Sequence, residues 1–151
     1  MPKRVYSKAY ASIRFNGPQL DPLIVTQALK LPPDHQHRNG EPRLVRTRSG
    51  KIEENPAYRQ GQWSMSSKDL VESPKLETHI RWLLSQLEPL ALEIQGFISR
   101  DIKVDFFCYS VGSIEQPPSL SNEIKERARL LGIEIVIDHY YEASASGEMS
   151  S

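Results

Sequence analysis

Two imidazoles and a carboxylate fall within four residues in Asp34-His35-Gln36-His37, the residue types from which metal sites are built. A metal needs a third or fourth ligand and a supporting hydrogen-bond shell. The other histidines, His79 and His139, stand on separate predicted elements, and no spacing joins them to this run. The reading is a solvated loop, with no metal and no cofactor implied.

Asp105, Asp138 and His139 lie on two predicted strands, and carboxylates beside an imidazole are the parts of an acid–base group. Alternation sets Asp105 and Asp138 on the sheet face away from the apolar one, where solvent or a partner explains them adequately and catalysis is the lesser reading. Arg38, Arg43, Arg46, Arg48 and Lys51 form a basic stretch broken only by Glu41. Guanidiniums suit phosphate or carboxylate, but no aromatic is interleaved from 38 to 51, as stacking on nucleic acid would require. A solvated arm is the plainer reading. Trp63 and Trp82 read as core residues before contact residues, with Trp63 kept as a candidate ligand contact, and Trp82 sits off the apolar stripe of its helix.

Familiar catalytic motifs fail at named positions. Ser49-Gly50-Lys51 has Val45 where a phosphate loop needs glycine and Ile52 where it needs Ser or Thr. No G-x-G-x-x-G, no nucleophile elbow and no helix-borne histidine pair occurs. Cys108, the one cysteine, lies in an apolar run, so it reads as a core residue in a reducing compartment.

The elements that must position these residues are well signalled. Ala9, Ala11, Ile13 and Phe15 alternate with Lys8, Ser12 and Arg14, which argues a half-buried strand from Val5 to Phe15. Asp21 and Pro22 open a helix as N-cap and first residue, with Ile24, Ala28 and Leu31 as its stripe and Pro32-Pro33 as its stop. Leu44–Thr47 before Ser49-Gly50 fits a hairpin arm, and Gln62–Ser67 a strand with Trp63 and Met65 on one face. Ser73 and Pro74 open a second helix carrying Leu76, Ile80, Leu83 and Leu87; Pro89 interrupts it, and Leu90, Ile94 and Phe97 continue at an angle. A strand over 102–111, a helix from Ser121 to Gly132 and a last strand through Ile133, Ile135 and Ile137 complete the order.

The implied fold is an α+β sandwich, a mixed or antiparallel sheet of four to five strands with helices mainly on one face. Residues 1–142 form a single domain, 43–60 a basic loop or hairpin arm, and 143–151 a disordered tail. A chain of 151 residues with 38% apolar content can bury a normal core. Neither a spanning helix nor a signal peptide is expected, which places the protein in the cytoplasm. Net charge is zero, yet residues 1–51 hold ten Lys/Arg against three Asp/Glu, whereas 52–151 hold nine against sixteen. Such asymmetry marks an anion-facing surface, or vanishes if the two halves interleave in one sheet.

Several runs then line up in order: Tyr10-Ala11-Ser12-Ile13-Arg14-Phe15, Leu20-Asp21-Pro22, Leu29 to Asp34, Arg38 to Pro42, Gly61-Gln62-Trp63-Ser64-Met65-Ser66-Ser67, and Leu131 through Tyr140. Together they resemble the bacterial domain-of-unknown-function family DUF4279 over nearly the whole chain. The resemblance implies a small bacterial α+β domain without an established reaction. Members of small families of this kind often serve as immunity or partner-binding proteins. The basic segment 43–60 departs from a minimal version of the pattern.

The expected function is a non-catalytic module binding another protein, with homodimerisation open. The alternatives are an anionic-ligand, nucleotide or nucleic-acid binder working through 38–51, and an enzyme of unrecognised type.

Overall fold

The computed structural model describes residues 5–143. Its frame is a five-stranded sheet of β1 (Tyr6–Gly17), β2 (His35–His37), β5 (Gly61–Ser66), β6 (Lys103–Gly112) and β7 (Glu134–Tyr141), ordered β2-β5-β1-β6-β7. β2/β5, β5/β1 and β1/β6 run antiparallel, and β6/β7 parallel. The outer pair β3 (Arg43–Arg46) and β4 (Ile52–Asn55) makes the expected hairpin arm. The sheet is mixed, and the fold is α+β. The expected polar tail, beyond Ala143, lies outside the described residues.

Alternation decides what each face does. Ala9, Ala11, Ile13 and Phe15 of β1 align with Trp63 and Met65 of β5 and with Val104, Phe106 and Cys108 of β6, all buried. Helices α1 (Pro22–Leu29), α2 (Leu76–Leu87), α3 (Ala91–Ile98) and α4 (Asn122–Leu131) cover this helix face, and their inward residues join one core. Trp63 is fully buried, edge-on to Phe15 at 5.6 Å, with its indole N–H donating to Thr26 Oγ1 at 2.9 Å. Trp82 packs against the core from a partly buried position. The Cys108 thiol, pushed up to about 12 chiefly by burial, stays neutral and inert.

Gly61 shows why one residue type is required. A Cβ there would sit 2.0 Å from the Leu20 carbonyl oxygen, which anchors the entry to α1 against the end of β5. Asp21 accepts from the Leu23 N–H and Ser121 from the Ile124 N–H, and Gly132 closes α4 in the left-handed region, as their spacing predicts.

Three local expectations are corrected. Helix α1 ends at Leu29, because Lys30 turns left-handed and bonds back to the Thr26 carbonyl; it therefore buries Val25 and Leu29 and exposes Ile24. Lys75 occupies the N-cap of α2, since Ser73 instead accepts from the Lys75 N–H and offers its carbonyl to His79. Residues 35–37 are not a solvated loop. They pair with β5 as an edge strand, pinned by the Asp34 carboxylate accepting from the Ser66 N–H.

Candidate functional site

Among the described residues the second face of the sheet carries no helix. It presents the alternate residues of the same strands, and aromatic side chains of β1, β6 and β7 meet on it. Tyr10 stands opposite Tyr109, stacked at 4.9 Å, and Tyr109 meets Tyr140 at 5.3 Å. The Tyr140 hydroxyl donates to Asp138, two positions back on the same face, which raises the phenol pKa. Tyr10 is raised too, first by burial and then by Tyr109. Lys68 lies 5.6 Å over the Tyr10 ring.

Two pairs further along β1 sits an ion pair. Arg14 Nε and Nη2 donate to Asp105 Oδ1 and Oδ2, both at 2.9 Å, while its guanidinium lies 4.6 Å above the Phe107 ring. Asp105 is only 1% exposed, so of the expected solvated or partner-facing carboxylate the solvated form is corrected: the Arg14 guanidinium covers it. A forked, desolvated pair of this kind fixes side-chain geometry more than it adds stability.

His139 is not part of this surface. It points to the helix face, where its Nδ1 meets Ser110 Oγ at 2.9 Å and its Nε2 the Ile114 carbonyl at 2.9 Å. The sheet therefore separates the imidazole from Asp105 and Asp138, and the three do not form an acid–base group. A second serine–histidine contact, Ser67 Oγ to His79 Nδ1 at 2.6 Å, is sealed in the core, with both residues at most 1% exposed. Neither serine is open to a substrate.

The edge of the sheet forms a separate polar pocket of ≈ 630 Å³ around β2. His35 and His37 alternate onto the open face, and their Nε2 and Nδ1 lie 2.9 Å apart. His37 is nine-tenths buried beside Tyr58, which stacks on it at 3.4 Å; the Arg43 guanidinium lies over the same ring, 5.3 Å from its centroid. Burial first, then the neighbouring His35, holds the His37 pKa below its usual value. Among the described residues no group of three or more His, Cys, Asp or Glu is arranged to hold a metal.

The basic stretch is thereby dispersed. Arg38 is committed to Asp21 at 2.9 Å, Arg43 joins the pocket, and Arg46 and Arg48 are exposed on the hairpin. The charge halves interleave, because β1 lies between β5 and β6 and Arg14 meets Asp105 across the divide. Sequence reasoning missed Tyr10, Arg14, Phe107, Tyr109 and Tyr140. The signal was present: each occupies an outward phase of a strand, and all but Arg14 are aromatics, which a solvated surface seldom needs.

Among the described residues no helix is long and apolar enough to cross a membrane. Neither a curated protein nor a solved structure matches the chain. The family described as a domain of unknown function, DUF4279, matches residues 7–142. Two of its specific-looking runs have direct physical roles here. Gly61 and Trp63 lock β5 to Leu20 and Thr26, while Asp138 and Tyr140 build the open face. With that match spanning nearly its whole length, the chain belongs to the DUF4279 family.

Proposed function

We propose that this protein is a non-catalytic binding module whose open sheet face docks another protein. The observation that carries the reading is the Tyr10–Tyr109–Tyr140 ladder, continued by Phe107, on a face with no covering helix among the described residues. Tyrosines combine a large apolar area with a polar tip at low entropic cost, and they dominate the energetic centres of protein interfaces. Strand-borne charge on the same face is balanced, with Lys8, Arg14 and Lys103 against Asp105, Glu134 and Asp138. A nucleic-acid backbone would favour net positive charge there, so the balance favours a protein. The split of Asp105 and Asp138 from His139 weighs against an enzyme.

A bacterial, cytoplasmic, immunity-type role is one concrete version, and the unpaired, buried Cys108 fits the reducing compartment it would need. The test is photo-crosslinking in the native host with a benzophenone residue at position 109, compared with one at exposed Leu92 on α3. A discrete protein adduct at 109, absent at 92 and lost on Tyr140→Ala, is the expected result. Equal adducts at both positions, or loss of the adduct on nuclease treatment, would sink the proposal.

A further inference from the structure

The edge pocket is built differently from the tyrosine face, and its residues are chiefly hydrogen-bond donors. Arg43, Arg59, His35 and His37 line it together with Gln60 and Gln62, and no carboxylate is among the lining residues. Two guanidiniums supply planar forks matched to an oxyanion. The pocket is also held in shape. The Tyr58 N–H donates to the Glu41 carbonyl at 3.1 Å, and the Tyr58 carbonyl accepts from the Gly40 N–H at 2.7 Å. These bonds tie the irregular segment carrying Tyr58, Arg59 and Gln60 to the turn that follows β2. The Tyr58 ring then contacts both His37, by stacking, and the Arg43 guanidinium.

The ring nitrogens are partly committed. His37 gives one to the Gln60 backbone and one to His35, whose other nitrogen has no partner among those contacts. Gln62 donates to Asn16 Oδ1 at 2.7 Å and Gln60 to the same atom at 3.4 Å, which leaves both carboxamide oxygens as acceptors. The Tyr58 ring is engaged by both His37 and Arg43.

We infer that this pocket binds the anionic head of a small molecule, a phosphate or carboxylate, held by Arg43, Arg59 and His35. Gln60 and Gln62 accept from hydroxyl groups on the remainder of that molecule. The site lies apart from the tyrosine ladder and does not depend on it.

The test is a titration of the isotopically labelled full chain with inorganic phosphate, and separately with citrate, at constant ionic strength, read by NMR at the His35 and His37 imidazoles. Saturable shifts confined to those rings and the backbone of 57–62 are expected. Arg43→Gln and Arg59→Gln should each weaken binding by roughly tenfold, the worth of a charge-assisted hydrogen bond. Arg48→Gln, which removes the same charge from the hairpin outside the pocket, should leave it unchanged. Saturation by citrate but not phosphate would identify a carboxylate head, and the reverse a phosphate. Shifts that never saturate with either anion, or an equal loss in Arg48→Gln, would overturn the site. Because Arg43, Arg48 and Arg59 are all exposed, the amide spectrum of each variant should stay native, so loss of binding is not loss of fold.

Discussion

The two faces of one sheet use the same strands to opposite ends. On the helix face, Phe106 and its neighbours on β1 and β5 are closed off by α1 to α4, and every polar group there is tied to a fixed partner. On the open face, one residue along in each strand, Arg14 packs on Phe107 and Tyr10 on Tyr109, with solvent above. Period two gives both faces comparable aromatic content, so residue type alone does not separate core from contact surface. What separates them is covering. The helix face is stabilised by burial, whereas the open face holds apolar area that an incoming surface could still remove from water.

The largest expected effect breaks the comparison at adjacent positions. Phe106→Ala should lower unfolding stability by about 3–5 kcal/mol, as for other buried aromatic truncations. Phe107→Ala should cost only about 1 kcal/mol, because its ring is part-exposed and loses mainly the Arg14 contact. Urea midpoints for the two variants decide it. Similar losses would mean that the open face is as closed as the core.

Next in size is Asp105→Asn, which keeps the shape and removes the charge under Arg14. The pair is buried on the carboxylate side, while the Arg14 side chain is 29% exposed and can regain some water. A loss of about 1–3 kcal/mol is expected, below that of a wholly buried pair. Replacing both partners, Arg14→Met with Asp105→Leu, should recover most of it, since two apolar groups leave nothing unpaired. Failure of the double variant to recover would show that the pair contributes more than mutual neutralisation.

Much of this was legible beforehand, for physical reasons that can be named. Strand alternation fixed the register of Ala9–Phe15, and Asp21-Pro22 and Gly132 fixed two helix ends through local hydrogen bonds and a left-handed turn. What stayed hidden was tertiary. Nothing near His37 in sequence announces Tyr58, and the stack between them exists because the chain returns after the hairpin. Asp105 read as solvated because Arg14 is ninety-one positions away, yet directly opposite it across β1 and β6. His139 and Asp138 looked like partners, but adjacent residues of a strand point apart. The basic stretch shows the converse: close in sequence, its arginines go to α1, the pocket and the hairpin separately.

The smallest effect concerns pH and sharpens the contrast between a sealed group and a sheltered one. His37 faces His35, Arg43, Glu41 and the Tyr58 ring, and burial with the His35 charge holds its folded pKa below the unfolded value of about 6.5. The unfolded chain therefore binds more protons in that window, so stability is complete above about pH 6.5 and falls as the pH drops toward the folded value. The carboxylates with lowered values, Asp21 and Glu88 among them, lose their contributions only when the pH falls through the more acidic carboxylate range. Between pH 7.5 and 5.5 the histidine should thus dominate the slope. Urea midpoints should drop modestly over this interval in the native sequence and stay flatter in His37→Gln. Phosphate should oppose the drop, because an anion beside the pair favours the protonated ring. A slope unchanged by His37→Gln would move the acid sensitivity to another group and leave the pocket a passive edge of the sheet.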